Sequence, residues 1–156
     1  MTHIIVFNAI LLLVCGYAFR VGGAPERWTA SVFVGGALAT FLAPFYDVVH
    51  PFAQIEPVLL LVDAAVLVCL VAVALYADRY WPLYVSALHL IAIAIHGVKA
   101  IQPDLVPWMY AGASGKIAYP MLVLLAVGAW RHRRRLITYG SDPDWSRLRK
   151  PDIPVS

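Results

Sequence analysis

The sequence predicts an all-α integral membrane protein, a bundle of five transmembrane helices with the N-terminus outside and the C-terminus in the cytoplasm. Three observations predict it. Five long apolar segments fill the chain almost end to end, in a composition 62% hydrophobic and only 13% charged, with mean hydropathy +0.76. That leaves too little polar surface to coat a soluble globule. Ten of the twelve Lys and Arg residues fall in the first and third connections and in the chain after the last segment, the pattern of cytoplasmic loops. Aromatic rings gather at segment ends: Trp28, Tyr80, Trp81 and Trp130 at the expected inner interface, Phe45, Tyr46, Trp108 and Tyr110 at the outer one.

The first span, about 4–19, is a run of Ile, Leu, Val and Phe that stops at Arg20. Leu13-Val14-Cys15 faintly resembles a lipoprotein cleavage site, but Val14 is not the small residue wanted there and no basic region precedes it, so the segment reads as an uncleaved anchor. Residues 20–27 turn the chain with Gly22 and Gly23, and Pro25 marks the next helix start. The second span, about 28–44, leads into a connection that carries Asp47 and His50 but no Lys or Arg, hence an outer one. The third span, 55–76, returns inward to a tight turn at 77–81 that holds Arg79, and Pro82 opens the fourth span, 82–101. The outer connection 102–107 holds Asp104, the fifth span covers about 108–130, and Arg131-His132-Arg133-Arg134-Arg135 follows. Residues 1–135 thus form the transmembrane domain. Residues 136–156 are a short cytoplasmic tail, too poor in apolar side chains to make a core.

Helices are the only open-chain way to satisfy backbone polar groups in hydrocarbon, and no segment has the period-two alternation of a barrel strand. Close packing then rests on small residues, with Gly35, Gly36 and Ala39 on the second span and Ala111, Gly115 and Ala118 on the fifth as candidate contacts. Cys15 and Cys69 lie inside apolar runs and read as buried small hydrophobes rather than a disulfide. The formal charge of +3 does not imply nucleic acid. The basic residues border apolar runs, where Arg131, Arg133, Arg134 and Arg135 suit anionic lipid head groups.

Chemistry could reside only in the ionisable groups inside the spans. Asp63, His89, His96 and Lys116 form a candidate buried polar cluster, with Glu56, Lys99 and His50 as polar residues of the outer rim. Counting outward from a turn centred near Arg79 brings Asp63 and His96 to similar depth, with Lys116 close by and His89 about 10.5 Å nearer the cytoplasm. One reading makes this set a hydrogen-bonded lock on helix register. The other makes Asp63 and His96 a proton-active pair, with His89 as a second station. A haem held by His96 and His50 is a weaker alternative, and no metal site is expected because Asp63 and His96 lack an evident third ligand. Nucleophile elbows, phosphate loops, paired-cysteine motifs and zinc-binding His-Glu pairs are absent from the sequence, so no catalytic residue is assigned. Glu26 with Arg27, and Asp78 with Arg79, read as exposed, solvated topology determinants.

The segments Gly22-Gly23-Ala24-Pro25-Glu26-Arg27, Ala77-Asp78-Arg79-Tyr80-Trp81-Pro82-Leu83, Tyr119-Pro120-Met121-Leu122 and Trp130-Arg131-His132-Arg133-Arg134-Arg135 resemble a group of small multi-spanning membrane proteins of alphaproteobacteria that has no assigned activity. The resemblance spans most of the chain and implies a bacterial inner membrane setting, with no site residue to carry over. The expected role is non-enzymatic, an accessory or structural subunit whose partners are the bilayer and either another protein or further copies of itself. The alternative is a small proton-coupled or ion-conducting protein that uses the Asp/His/Lys cluster.

Overall fold

A computed structural model describes residues 2–49, 55–101 and 107–145, with side chains over 4–43, 58–95 and 116–145. Five α-helices make up the fold: α1 (Thr2–Val21), α2 (Ala24–Val49), α3 (Ile55–Tyr76), α4 (Trp81–Ile101) and α5 (Pro107–Tyr139). No strand occurs among the described residues, only one isolated bridge between Ala77 and Trp145. Each helix packs on its neighbour in sequence and α1 closes against α5, so the five make a ring, with a lesser contact between α2 and α5 across it. The short α1–α2 and α3–α4 connections bring both turns, and the chain after α5, to one end of that ring.

Local chemistry sets the helix limits. α1 closes with Gly22 N–H donating to the Ala18 carbonyl at 2.9 Å, and a Cβ on Gly22 would lie 2.6 Å from that same oxygen. Only glycine fits so close an approach. Pro25 and Glu26 then occupy the first turn of α2, where a missing N–H costs nothing and a negative charge suits the helix dipole. Trp81 and Pro82 open α4 in the same way. α5 runs nine residues past the span expected to end at 130, through the basic run, and stops at Gly140, whose φ of 73° and N–H bond to the Leu136 carbonyl at 3.0 Å make a left-handed cap. Pro120 inside α5 cannot donate to the Lys116 carbonyl one turn back.

The side-chain distribution is inside-out for a soluble domain. Ala18, Ala30, Ala129 and Cys15 are buried, whereas Leu13, Phe41, Leu61, Leu75 and Ile137 are among many large apolar side chains that face outward. Small inward residues bring the backbones together, and Phe7 of α1 packs edge-on against Tyr119 of α5 with ring centroids 5.6 Å apart. Gly36 is a genuine close contact, since a Cβ there would lie 2.8 Å from Val66, whereas Gly35 faces open space. Among the described residues, two helices are long and apolar enough to cross a membrane, over Ile4–Val21 and Val58–Tyr76, while Trp81–Ile95 is a shorter apolar stretch. The five spans read from the sequence are five helices of unequal hydropathy. Thr, Ser and Gly dilute α2, and Lys116 with the arginine run dilutes α5.

Candidate functional site

At the end of the ring where the two turns meet, Arg79 projects from the α3–α4 connection into a buried ion network. Its side chain is 4% exposed. Nη1 donates to Glu26 Oε1 from the first turn of α2. Nη2 donates to Asp142 Oδ2 at 2.7 Å and to Asp144 Oδ1 at 3.1 Å. Both aspartates lie in the strap beyond Gly140, which folds back so that Asp78 N–H meets the Asp144 carbonyl at 3.4 Å. From α5, Arg135 grips Asp142 with two bonds, Nε to Oδ1 at 2.7 Å and Nη2 to Oδ2 at 3.1 Å. His132 Nδ1 stands 2.5 Å from Asp142 Oδ2 and 2.9 Å from Arg79 Nη2. So short an approach to a carboxylate oxygen requires a proton on Nδ1, which makes His132 a donor to Asp142 and its neighbour Arg79 a second donor beside it.

Three carboxylates face two guanidinium groups and the imidazole of His132. Burial pushes the Asp142 carboxyl up, but hydrogen bonds from Arg135 and His132 and the charges of Arg79 and Arg135 outweigh it, and the group ends below the usual carboxylate range. Glu26 Oε2, Arg79 Nε and Trp81 Nε1 are buried without a hydrogen-bond partner. Glu26, His132 and Asp144 also bring three potential metal-ligand atoms within 4.8 Å of one another. The guanidinium of Arg79 already contacts all three residues, and a divalent ion there would meet its charge at close range in a site shielded from water. Arginine is the resident cation of this donor set.

Of the pairs expected to be solvated, Glu26 with Arg27 and Asp78 with Arg79, Arg27 and Asp78 are exposed, but Glu26 and the Arg79 side chain turn into the network. Glu26 is fully buried and Arg79 nearly so, because Glu26 shares the inward face of α2 with Ala30 and Phe33. His132 and Arg135 depart from the expected basic tail for a similar reason. The inward stripe of α5 runs Ala118, Met121, Leu122, Leu125 and Ala129 at helical spacing and continues into His132, which is 5% exposed. Arg135 is tied to Asp142 rather than turned to lipid, while Arg131, Arg133 and Arg134 are exposed and Arg134 stacks over Trp130 at 5.1 Å. The expected loose arm is instead a strap through at least Trp145, whose ring lines an apolar groove of about 490 Å³ with Trp28, Cys69 and Tyr76. Cys15 is buried and Cys69 exposed, both as free thiols.

The second polar locus lies in the other half of the ring. A mostly apolar cavity of about 410 Å³ draws lining residues from all five helices and includes Asn8, Thr40, Asp63 and His89. His89 Nε2 donates to the backbone carbonyl of Asp63 at 3.0 Å. His89 is thus in direct contact with the backbone of Asp63. Lys116 is exposed, two residues before the inward stripe of α5 and off its face, so it is not a buried member of this set. The side chains of His96, Lys99 and Glu56, and residue His50, lie outside the described residues, and with them the His96–His50 haem pairing. No family model matches this sequence, and neither a curated protein nor a solved structure matches it.

Proposed function

We propose that this chain is a five-span integral protein of the bacterial inner membrane, N-terminus outside, and that it acts without catalysis as an accessory or structural subunit. The outward-facing Leu, Ile and Phe side chains and the two strongly apolar helices support membrane residence. The grouping of Arg79, Arg135 and the basic run of α5 at one end of the ring supports a cytoplasmic location for that end. The observation that carries the structural role is the Glu26–Arg79–Asp142–His132–Arg135 network. Its opposite charges pair across α2, the α3–α4 turn, α5 and the strap, and so serve to join elements. Extraction in mild detergent followed by native mass analysis tests this reading. Discrete stoichiometric companions are expected, and a chain that always migrates alone contradicts it.

One observation favours proton coupling as a second reading: the imidazole of His89 meets Asp63 at a central cavity. Reconstituted vesicles with an imposed pH gradient separate the two. The structural reading expects the same flux from the wild type and Asp63→Asn, and a flux abolished by that substitution supports coupling.

A further inference from the structure

We propose that the central cavity binds a membrane-soluble phenol or hydroquinone, with its apolar body along the ring axis and its hydroxyl on His89. In the half of the ring next to the ion network, Leu70, Val85 and Leu125 are buried. In the other half the walls include Gly36, Ala37, Ala92 and Ala118, and a cavity of about 410 Å³ remains. Small residues on α2, α4 and α5 border this space, within a ring whose neighbouring helices are in contact. Helices in lipid are held by dispersion contacts between close surfaces, and an unfilled hollow forfeits them along its whole lining. A guest of matching shape restores those contacts, and smaller apolar cavities than this one accept benzene-sized molecules. The volume lies within the range of ligand pockets, about 300 to 1,000 Å³.

Polarity within the cavity selects the head group. Phe7, Leu11, Val62, Val66 and Met121 line most of it with hydrocarbon and a thioether, and the few polar residues on the lining would leave a heavily hydroxylated guest with unmatched groups. A carbonyl oxygen only accepts, so the bond to the Asp63 carbonyl puts the proton of His89 on Nε2. The other nitrogen of the neutral ring, Nδ1, is then an acceptor, and its complement is a donor. A phenolic O–H supplies that donor on a flat ring with two apolar faces, and the head can pass from the lipid with its alkyl tail trailing. A second hydroxyl, as in a hydroquinone, finds side-chain oxygens at Asn8 and Thr40 on the same lining. This assignment is independent of the subunit role proposed above.

The test uses the full chain in detergent micelles with two probes, decylhydroquinone and decylbenzene, and measures equilibrium binding alongside thermal unfolding. The expected result is saturable binding of decylhydroquinone at one site per chain, at least tenfold tighter than decylbenzene. Ala118→Leu, which fills the cavity from α5, is expected to weaken decylhydroquinone at least tenfold with an unfolding temperature equal to or above that of the parent. Ala92→Leu fills it from α4 and serves the same purpose should the first variant fail to fold. His89→Phe keeps the volume and removes the acceptor, and is expected to reduce the preference between the two probes by about five- to tenfold, the worth of one hydrogen bond. Absence of saturable binding overturns the proposal. Unchanged binding in both folded cavity-filling variants overturns the location, and equal affinity for the two probes overturns the head-group assignment in favour of a plain acyl chain.

Discussion

Replacing Arg79 with methionine removes the one group that touches every acidic member of the ion network while keeping most of the side-chain volume. The loss does not fall equally on its partners. Asp142 keeps Arg135 at 2.7 and 3.1 Å and His132 at 2.5 Å. Asp144 has a carboxylate 36% exposed and can turn to water. Glu26 is fully buried, and among the described residues its ion-pair partner is Arg79. The cost therefore concentrates on a single uncompensated carboxylate, worth about 3 to 5 kcal/mol. Protonation limits it, because placing a proton on a reference glutamate at pH 7 costs about 3.7 kcal/mol, and the limit falls by about 1.4 kcal/mol per pH unit on acidification. Unfolding of the micellar protein by denaturing detergent, followed by helical circular dichroism, should show a loss of about 3 to 4 kcal/mol at pH 7 that shrinks towards pH 5. Combining Arg79→Met with Glu26→Gln should recover about 2 kcal/mol or more, the coupling expected of a buried pair in direct contact. Arg79→Met within about 1 kcal/mol of the parent at pH 7, or a double variant no more stable than the single one, would refute the idea that this network is closed to water.

The remaining expectations follow from neighbouring parts of the structure. Asp142 titrates lower in the folded chain than unfolded, so its contribution is complete above about pH 4, the ordinary aspartate range, and is lost as pH falls through the lower folded value. Thermal unfolding between pH 7 and pH 3 should show that loss in the parent and a shallower one in Asp142→Asn. Gly128→Ala sets a Cβ 2.8 Å from the Trp81 ring and should cost about 1 to 3 kcal/mol by overpacking the α4–α5 seam. Gly35→Ala meets nothing within 4 Å and should be neutral or slightly stabilising in the same assay. Trp145→Ala removes the aromatic anchor of the strap from the groove shared with Trp28 and Tyr76. Limited proteolysis should then cut beyond Gly140 several times faster than in the parent.

How much of this was legible in the sequence depended on whether a local pattern or a tertiary contact decided the outcome. Helix positions were local. The third span is reproduced at both ends as α3, and Pro25 and Pro82 sit in the first turns of α2 and α4 where proline chemistry puts them. α5 continues past the span read as ending near 130, because charge can mark the edge of a span but a helix runs on through Arg-His-Arg-Arg-Arg until Gly140 stops it. The candidate site was misjudged for a related reason. Glu26 and His132 neighbour exposed basic residues in sequence, Arg79 follows the exposed Asp78, and composition alone reads all three as solvated. Helical periodicity carried the missing signal for two, since Glu26 precedes Ala30 by four residues and His132 follows Ala129 by three, both on inward faces. Arg79 lies in a turn with no periodicity to read, and only the return of Asp142 and Asp144 after Gly140 identifies its partners. The Asp63–His89 contact escaped because counting from a turn gives axial depth and neglects the lateral reach of an imidazole.

The central claim is that the α1–α2 turn, the α3–α4 turn and the end of α5 form one capped face of a membrane-spanning ring. In a background with Cys15 and Cys69 replaced, single cysteines at Asp78 and at Arg134, both exposed, can be challenged with a membrane-impermeant maleimide. Both should resist the reagent in intact spheroplasts and react in inverted vesicles. Labelling of one site from each side, or of either site from outside the cell, would contradict the account.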